Sequence, residues 1–532
     1  MDRTDGRSYL ARAPFFLAIS CALVLPAFWI ARYFLRPLGH DPSVLLFEAQ
    51  RFLSGDEIYG PHIRELNPPV IIWLSSVPVL LSRLVPIPVV FLFYFLVVLM
   101  VCTSAAWCVC LLARSGKVTN GMALALYGFA ILLIELFFSH GDFGQREHLL
   151  VILVFPYLLA IATSVASRLS PAERCALGVA AGIAIWLKPQ QILVVIVLEL
   201  ANAFRTRSLR HALSFEFISM VFTASVLLVL VLACTPLYLS RVIPLLSDVY
   251  WAYATNTFSS LLYQESPYVL TALVVLLGSY LFRSRLKDWT VPAMLLVCSI
   301  GGYLAFAVQE TDWQYHLYPS TAFLFLALCY LLADIFDPFL ERIRKAPVFR
   351  GFPALALSGC ILLVAMVFAL YPAIRKYPVS NAASSPFDQF LSQLQPGTVV
   401  YVPSTSALAF ASVYNAGLKW GSGYPNLWML PAILQNETGR TSMSHPFKKL
   451  SPQRTSQLAD MQRREIAEDL NEWQPAIILI PHCTRVEVCQ GIEGKNVDLL
   501  AWFQRSPDFA RIWSRYERQQ GINGYEVYRL AR

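Results

Sequence analysis

Long apolar runs recur through the first 370 residues, and they restrict what this chain can fold into more than any other feature. Several approach the roughly 20 residues that an α-helix needs to cross a bilayer core. Backbone polar groups find no water there, so such runs cross as helices. With 56% hydrophobic residues, 14% charged residues and a mean hydropathy of +0.53, the chain is too apolar for a soluble enzyme. The sequence therefore predicts a polytopic α-helical membrane protein.

The net charge of +8 at pH 7 is concentrated at the ends of these runs. Lys and Arg form short clusters there, as the positive-inside rule requires of cytoplasmic loops. The charge therefore indicates topology and not a nucleic-acid partner. Arg3, Arg7 and Arg12 precede the first run, 14–35, and place the amino terminus in the cytoplasm. No small-residue cleavage site follows this run, so we expect it to be retained as the first span.

The segment 68–84 is apolar but rich in proline, and the charge of the later loops decides its placement. If it crossed the membrane, the next basic loop, 114–117, would lie outside. If it lies in the interface, every later basic loop lies inside. We therefore expect an interfacial segment, and about eleven spans remain. They are predicted near 14–35, 87–113, 120–139, 148–167, 175–188, 190–204, 213–235, 267–282, 290–308, 317–335 and 352–372.

An odd number of spans places the carboxyl-terminal part on the outer side. This part is mostly polar, and strand-like runs at 398–402, 476–480 and 525–528 alternate with helical stretches, which predicts a mixed α/β domain. The predicted organisation is a transmembrane module, 1–374, with an outer loop at 36–86, followed by an extracytoplasmic domain, 375–532. Cys483 and Cys489 lie in that domain, and in an oxidising compartment they could form a disulfide, which the sequence leaves open.

Four polar segments converge on the outer face in this topology. They are 39–67, 139–148 (SHGDFGQREH), 188–191 (KPQQ) and 309–316 (QETDWQYH). Ionisable residues at a membrane boundary are costly, and they usually line an aqueous cavity or bind a ligand. Their convergence predicts a functional site.

The segment 40–74, HDPSVLLFEAQRFLSGDEIYGPHIRELNPPVIIWL, resembles the first outer loop of polyprenyl-phosphate-sugar-dependent glycosyltransferases with the multi-span GT-C fold. The shared features are an acid after the first span (Asp41), an amphipathic helix near 43–54, a G-x-x-x-Y element ending at Tyr59, and a Pro-Pro pair at 68–69. FGQREHLL and WQYHLYP also resemble bacterial members, the ArnT and protein-mannosyltransferase-like group. Many members carry paired acids after the first span, whereas His40 and Pro42 flank Asp41 here.

This resemblance implies a GT-C-like helical fold and an inverting sugar transfer. The donor would be a polyprenyl-phosphate-linked sugar, and the acceptor an envelope glycan, lipid or protein hydroxyl at the outer side of the bacterial inner membrane. The resemblance makes Asp41 the candidate base, or the ligand of a divalent metal such as Mg²⁺ or Mn²⁺ if one participates. A leaving phosphate also needs cationic or hydrogen-bonding groups, and we expect Arg146, Lys188 and His316 to supply them. Supporting, sugar or acceptor contacts are expected from Glu48, Tyr59, Asp142, Glu147, Gln191, Trp313 and Tyr315.

Several of these residues have a structural alternative. Asp41 in an Asp-Pro-Ser sequence before an apolar helix is typical of a helix cap. Arg146 could form an interfacial salt bridge, and Lys188 could snorkel at a helix end. Trp313 and Tyr315 could belong to the aromatic belt at the membrane surface. His148 we expect to be structural.

Two other classes of function fit the same pattern. In a secondary transporter or lipid flippase, the intramembrane charges would line a substrate path, but the two related halves common in transporters are not visible in this sequence. A non-enzymatic envelope assembly protein would tolerate Asp41→Asn, whereas an enzyme using this carboxylate as a base would lose most of its rate.

Overall fold

The computed structural model describes residues 26–118, 121–254, 256–284, 286, 288–311, 313–345, 385–439, 448–484, 489–492 and 497–531. The first predicted span, 14–35, is described from residue 26, and residues 26–34 are helical. The predicted span 352–372 and the predicted domain boundary at 374 lie outside the described residues.

Most of the described residues before 346 are helical, and further α-helices follow the one at 26–34. They are α1 (His40–Phe52), α2 (Pro69–Leu84), α3 (Val89–Ser115), α4 (Gly121–Leu133), α5 (Arg146–Ala162), α6 (Pro171–Leu187), α7 (Ile192–Thr206), α8 (Phe215–Cys234), α9 (Ile243–Val249), α10 (Phe258–Gln264), α11 (Ser266–Leu281), α12 (Thr290–Ala307) and α13 (Gln314–Lys345). A π-helical turn, Ile134–Phe138, extends α4.

Several of these helices have the length and composition of membrane spans. Within the described residues, α3, α8, α12 and the Gln314–Ile335 part of α13 qualify, and α10 with α11, bent by 76°, make a fifth if they form one span. The expectation of a multi-pass helical protein is thereby supported, while the count of eleven stays a prediction. Helix α2 has 16 residues, fewer than a span needs, and its interfacial position also stays a prediction.

Small residues allow the helices to approach closely. A Cβ atom built on Gly178 of α6 would lie 2.1 Å from the carbonyl oxygen of Glu216 on α8. One turn later, a Cβ on Gly182 would lie 2.7 Å from the carbonyl oxygen of Met220. The backbones of α6 and α8 therefore pack directly against each other, as small residues permit in membrane helices.

Helix α6 begins with a capping box between Ser170 and Glu173 and with proline in its first turn.

The described residues from 385 onward contain one mixed sheet and six helices, and we refer to this part of the chain as the C-terminal domain. Its helices are α14 (Pro386–Ser392), α15 (Leu408–Asn415), α16 (Leu430–Thr438), α17 (Pro452–Trp473), α18 (Leu499–Gln504) and α19 (Pro507–Trp513). Its strands are β1 (Val399–Tyr401), β2 (Lys419–Trp420), β3 (Ile477–Pro481), β4 (Tyr516–Arg518) and β5 (Tyr525–Leu530).

The order of the strands in the sheet is β2-β1-β3-β5-β4. β1 is parallel to β2 and β3, and β5 is antiparallel to β3 and β4. All five residues of the central strand β3 are buried. Cys483 and Cys489 form a disulfide just beyond β3, which answers the question that the sequence left open.

The C-terminal domain packs onto the polypeptide on both sides of α1, at Leu38 before it and at Arg64 after it. Asn415 at the end of α15 exchanges two hydrogen bonds of 3.0 Å with the backbone of Leu38. Arg64 makes a buried ion pair with Asp469 of α17, with distances of 2.8 and 2.6 Å from Nη1 to the two carboxylate oxygens. The polar segment 39–67 is thus held between the helices and the C-terminal domain.

Candidate active site

A cavity of about 840 Å³ lies between the helices and the C-terminal domain. Residues from all four polar segments line it: His40, Asp41, Glu65 and Asn67 from the first; Arg146 from the second; Lys188, Pro189 and Gln190 from the third; Gln309, Trp313, Gln314 and Tyr315 from the fourth. The convergence expected from the sequence is therefore present in the structure.

Asp41 reaches the cavity because α1 begins at His40. The N-cap residue is Gly39, and it makes no side-chain capping bond, so Asp41 lies in the first turn and is not the helix cap. The capping alternative is therefore wrong. The carboxylate instead faces Arg146, with 3.4 Å between Nη2 and Oδ2, and His40, with 3.3 Å between Nε2 and Oδ1. A Cβ on Gly39 would lie 2.9 Å from the carbonyl oxygen of Gly141, so glycine permits the first two polar segments to meet.

The charges around Asp41 favour its ionised form. Burial opposes ionisation, but His40, Arg146 and Lys188 outweigh burial and hold the pKa of Asp41 below its usual value. The carboxylate is therefore negatively charged at neutral pH and can accept a hydrogen bond or a proton.

Arg146 stands at the first turn of α5 with its guanidinium in the cavity wall. One terminal nitrogen donates to the side-chain oxygen of Asn67, and the other faces Asp41. Its buried Nε atom has no hydrogen-bond partner among the described residues. A planar guanidinium with unused donors suits an anionic oxygen group such as phosphate.

Lys188 lies in extended backbone between α6 and the short turn Pro189–Gln191. Proline at the next position disfavours helical backbone for the residue before it, which explains where α6 ends. The Lys188 ammonium donates to Oε1 of Glu147 and lies 5.5 Å from the centre of the Tyr315 ring. Because Lys188 is buried and paired, it does not snorkel to a surface.

Glu147 and His316 lie behind the cavity wall. Both are buried, and neither belongs to the residues that line the cavity. His316 Nε2 lies 3.6 Å from the Glu147 carboxylate, and Nδ1 lies 3.1 Å from the hydroxyl of Thr311. His316 is therefore connected to the cavity indirectly: it lies next to Glu147, which accepts a hydrogen bond from Lys188 in the cavity wall. A direct contact between His316 and phosphate stays a prediction.

Glu48 and Tyr59 lie next to the cavity and do not line it. The Tyr59 hydroxyl donates to the carbonyl oxygen of Asn67 over 2.5 Å. Glu48 is buried, and burial with the neighbouring charge of Glu65 raises the pKa of Glu48 well above its usual value. Tyr59 therefore supports the loop 64–67 directly, and Glu48 lies close to the Glu65 carboxylate of that loop.

Asp142 and Gln191 also lie outside the cavity lining. Asp142 accepts a hydrogen bond of 2.8 Å from Gln145. Burial, together with the charges of Asp41 and Glu147, raises the pKa of Asp142 to about 7. Gln191 is buried, and neither atom of its amide has a partner among the described residues.

Trp313 and Tyr315 form an aromatic wall. Their rings stack with a centroid distance of 5.9 Å and an interplanar angle of 16°, and both line the cavity. The ring of Tyr253 lies 5.7 Å from that of Trp313. His148 uses both ring nitrogens on backbone groups, at 2.9 Å from the Gly144 nitrogen and 2.6 Å from the Glu135 oxygen, as expected of a structural residue.

Some lining residues were not predicted from the sequence. Asn67 and Glu65 come from the first polar segment, and Asn67 directly precedes the Pro-Pro pair, which was the available signal. Tyr238 and Tyr250 come from the long segment after α8. The C-terminal domain contributes Ser406, Ala407, Leu408, Pro425, Asn426, Trp428 and Gln490, and no motif marked any of them.

The residues around Asp41 do not fit a divalent metal. Its nearest polar neighbours are a guanidinium and one imidazole, whereas Mg²⁺ and Mn²⁺ prefer oxygen ligands. The described part of the chain contains no cluster of three or more His, Cys, Asp or Glu side chains that could hold a metal ion. We therefore derive no step that depends on a metal.

No protein-family profile and no curated protein matches this sequence. Several solved structures do match the structure of this chain. The crystal structure of ArnT from Cupriavidus metallidurans in the apo state matches over 97% of this chain and 97% of that chain, with a TM-score of 0.54 and 12% identity. ArnT from the same organism bound to undecaprenyl phosphate matches over 97% and 98%, with a TM-score of 0.51 and 13% identity.

The archaeal oligosaccharyltransferase AglB from Archaeoglobus fulgidus covers 95% of this chain and 73% of its own, with a TM-score of 0.48 and 12% identity. At these identities a likeness to solved structures shows the fold, and the two ArnT structures carry that conclusion. The chain has a GT-C-like fold, which confirms the resemblance seen in the sequence.

Proposed function

We propose that this chain is an integral membrane glycosyltransferase. It transfers a sugar from a polyprenyl-phosphate donor to an acceptor hydroxyl in the cell envelope, at the outer side of the bacterial inner membrane and with inversion. The observation that carries this proposal is the cavity in which an ionised carboxylate, Asp41, lies beside two cations, Arg146 and Lys188. The GT-C-like fold and the undecaprenyl phosphate bound to ArnT support it.

The three residues divide the chemistry between them. The oxygen of the acceptor hydroxyl attacks the anomeric carbon of the donor sugar, and Asp41 accepts the proton that this hydroxyl loses. The bond from that carbon to the phosphate oxygen breaks, and the phosphate leaves with the electron pair. Arg146 and Lys188 stabilise the charge that develops on the phosphate. Attack from the face opposite the phosphate inverts the anomeric configuration.

Residues behind the wall keep Lys188 in place. Its pairing with Glu147 balances a buried charge, which would otherwise be costly. His316 approaches the same carboxylate from the other side. Trp313 and Tyr315 present aromatic faces to the cavity, where sugar rings can pack against them. We assign these residues to positioning and sugar contact.

The C-terminal domain supplies the opposite wall of the cavity. Among the described residues, every side chain that it contributes to the lining is uncharged, including those of Ser406, Asn426 and Gln490. The cations come from the helical part alone. We therefore place the donor phosphate against the helices and a neutral, hydroxyl-bearing acceptor against the C-terminal domain. Full activity on the native acceptor after deletion of 380–532 would contradict this placement.

The test compares envelope glycans by mass spectrometry in cells that make wild-type protein or Asp41→Asn in equal amounts. We expect the variant to lose one sugar modification. A matched control is Asp56→Asn, because Asp56 lies in the same polar segment, 39–67, but binds His62 at 2.7 Å and does not line the cavity. Unchanged glycans in the variant, with altered glycans in a full deletion, would exclude Asp41 as the base and point to Asp142.

A further inference from the structure

The side-chain oxygen of Asn67 accepts a hydrogen bond from the guanidinium of Arg146. We infer that Asn67 is a positioning residue, which holds Arg146 open toward the phosphate and limits its pairing with Asp41 to one long hydrogen bond. We infer also that the C-terminal domain fixes Asn67 through the Arg64–Asp469 ion pair. This inference rests on the proposed function, because it assumes that Arg146 binds phosphate.

The first step concerns the partners of Arg146. One terminal nitrogen donates to the amide oxygen of Asn67, and the other donates a single long hydrogen bond of 3.4 Å to the carboxylate of Asp41. An amide oxygen orients a guanidinium without neutralising it, so the positive charge stays available to an anion. Asp41 is a competing partner, since a carboxylate can bind a guanidinium with two hydrogen bonds.

The second step concerns the orientation of the Asn67 amide. Oε1 of Glu65 accepts from the backbone nitrogen of Asn67 over 2.7 Å and also from its side-chain nitrogen. Because the side-chain nitrogen is engaged by Glu65, the side-chain oxygen is the atom left for Arg146. The Tyr59 hydroxyl holds the carbonyl oxygen of Asn67, and Pro68 restricts its backbone to extended conformations. Asn67 is therefore fixed on three sides.

The third step connects this loop to the C-terminal domain. Arg64 binds Asp469 through two hydrogen bonds, and its backbone nitrogen donates to the carbonyl oxygen of Gly423 over 3.0 Å. The Trp428 indole donates to the carbonyl oxygen of Arg64 over 3.2 Å. Asp469 also accepts from the hydroxyl of Ser422 over 2.6 Å.

Arg64 and Asp469 are both buried, and separating a buried ion pair is costly because each charge would be left without a partner. The hydrogen-bonded carboxylate of Asp469 therefore keeps Arg64 in place. The C-terminal domain thus sets the position of the loop 64–67, from which Asn67 reaches Arg146. Without that contact, Arg146 is free to close onto Asp41, and the two charges neutralise each other at the site where the phosphate should bind.

The test measures the affinity of the full-length, detergent-purified protein for undecaprenyl phosphate. Arg146→Gln should weaken binding at least tenfold. Asn67→Ala should weaken it roughly tenfold, because Arg146 then pairs with Asp41 and only about a tenth of the protein keeps the guanidinium available to the phosphate. The double variant Asn67→Ala/Arg146→Gln should bind no more weakly than Arg146→Gln, since Asn67 acts through Arg146.

Two further variants separate positioning from general damage. Adding Asp41→Asn to Asn67→Ala should restore part of the lost affinity, because Arg146 no longer has a carboxylate to close upon. A merely structural defect would not be repaired in this way. Asn202→Ala is the matched control, since Asn202 accepts a 2.7 Å bond from Arg205 outside the cavity lining. We expect its affinity to equal that of the wild type.

The outcomes are distinguishable. Unchanged affinity of Arg146→Gln would contradict the role that the proposed function gives to Arg146. A weakened Arg146→Gln with an unaffected Asn67→Ala would overturn the inference alone. So would additive losses in the double variant, which would mean that Asn67 acts independently of Arg146. Asp469→Asn should weaken binding in the same direction as Asn67→Ala, and an additive combination of the two would refute the link to the C-terminal domain.

Discussion

Replacing Lys188 by methionine should destabilise the protein, because it leaves a buried carboxylate without its cation. The Lys188 ammonium donates to Glu147, and the two side chains are only 5% and 1% exposed. Methionine fills a similar volume to the lysine stem, so packing is largely retained while the charge is lost. His316 lies 3.6 Å from that carboxylate, and the guanidinium of Arg146 is a further charged neighbour of it.

The expected loss follows from the burial of the pair. Removing one partner of a buried ion pair costs about 3–5 kcal/mol, because the other charge stays desolvated and unpaired. Glu147→Gln should therefore relieve the defect of Lys188→Met. We expect the double variant to be more stable than the sum of the single losses predicts, by about 1–3 kcal/mol.

The assay is equilibrium unfolding of the detergent-solubilised wild type, the two single variants and the double variant, followed by circular dichroism. Arg511→Met is the control, since Arg511 and Asp508 form an ion pair 2.8 Å apart that is largely exposed. That variant should unfold like the wild type. Strictly additive losses, or a Lys188→Met variant as stable as the wild type, would refute the buried pairing.

Three other predictions concern the base, the helix packing and the disulfide. Arg146→Gln removes a positive charge 3.4 Å from Asp41, so the pKa of Asp41 should rise. The pH below which the transfer rate falls should therefore increase by roughly 1–3 pH units. An unchanged pH would mean that another group titrates. In Gly178→Ala, the added methyl group would lie 2.1 Å from the Glu216 carbonyl oxygen, so thermal unfolding should show a loss of about 1–3 kcal/mol; a variant as stable as the wild type would contradict the close packing. Cys483→Ser should lower the unfolding free energy by about 2 kcal/mol under oxidising conditions, and the difference should vanish when the wild type is reduced.

The pattern of residues was enough to predict the fold class and part of the site. Apolar runs of bilayer length have few alternatives to helices, because an unsatisfied backbone group is so costly in lipid. The same cost makes charged residues informative at the boundary, and Asp41, Arg146 and Lys188 all line the cavity. The family resemblance in the first outer loop and the fold of the ArnT structures agree.

Residues whose role depends on packing could not be predicted in this way. Glu147 and His316 are the same residue types as Glu65 and His40, which line the cavity, but helix packing buries both behind the wall. Strands β2 and β4 have two and three residues, too short for a periodic pattern. The capping alternative for Asp41 was also a local pattern, and it was wrong because the N-cap is Gly39, two residues earlier.

The helical class, the boundary charges and the residue types available for sugar transfer can all be read from the order of the amino acids, because burial in lipid acts on each segment locally. Which of these residues face one another depends on the three-dimensional packing of the chain. Asn67 meets Arg146 across 79 positions of the chain, and Arg64 meets Asp469 across 405. Such contacts depend on how the helices and the C-terminal domain pack, and no local pattern of residues encodes that arrangement.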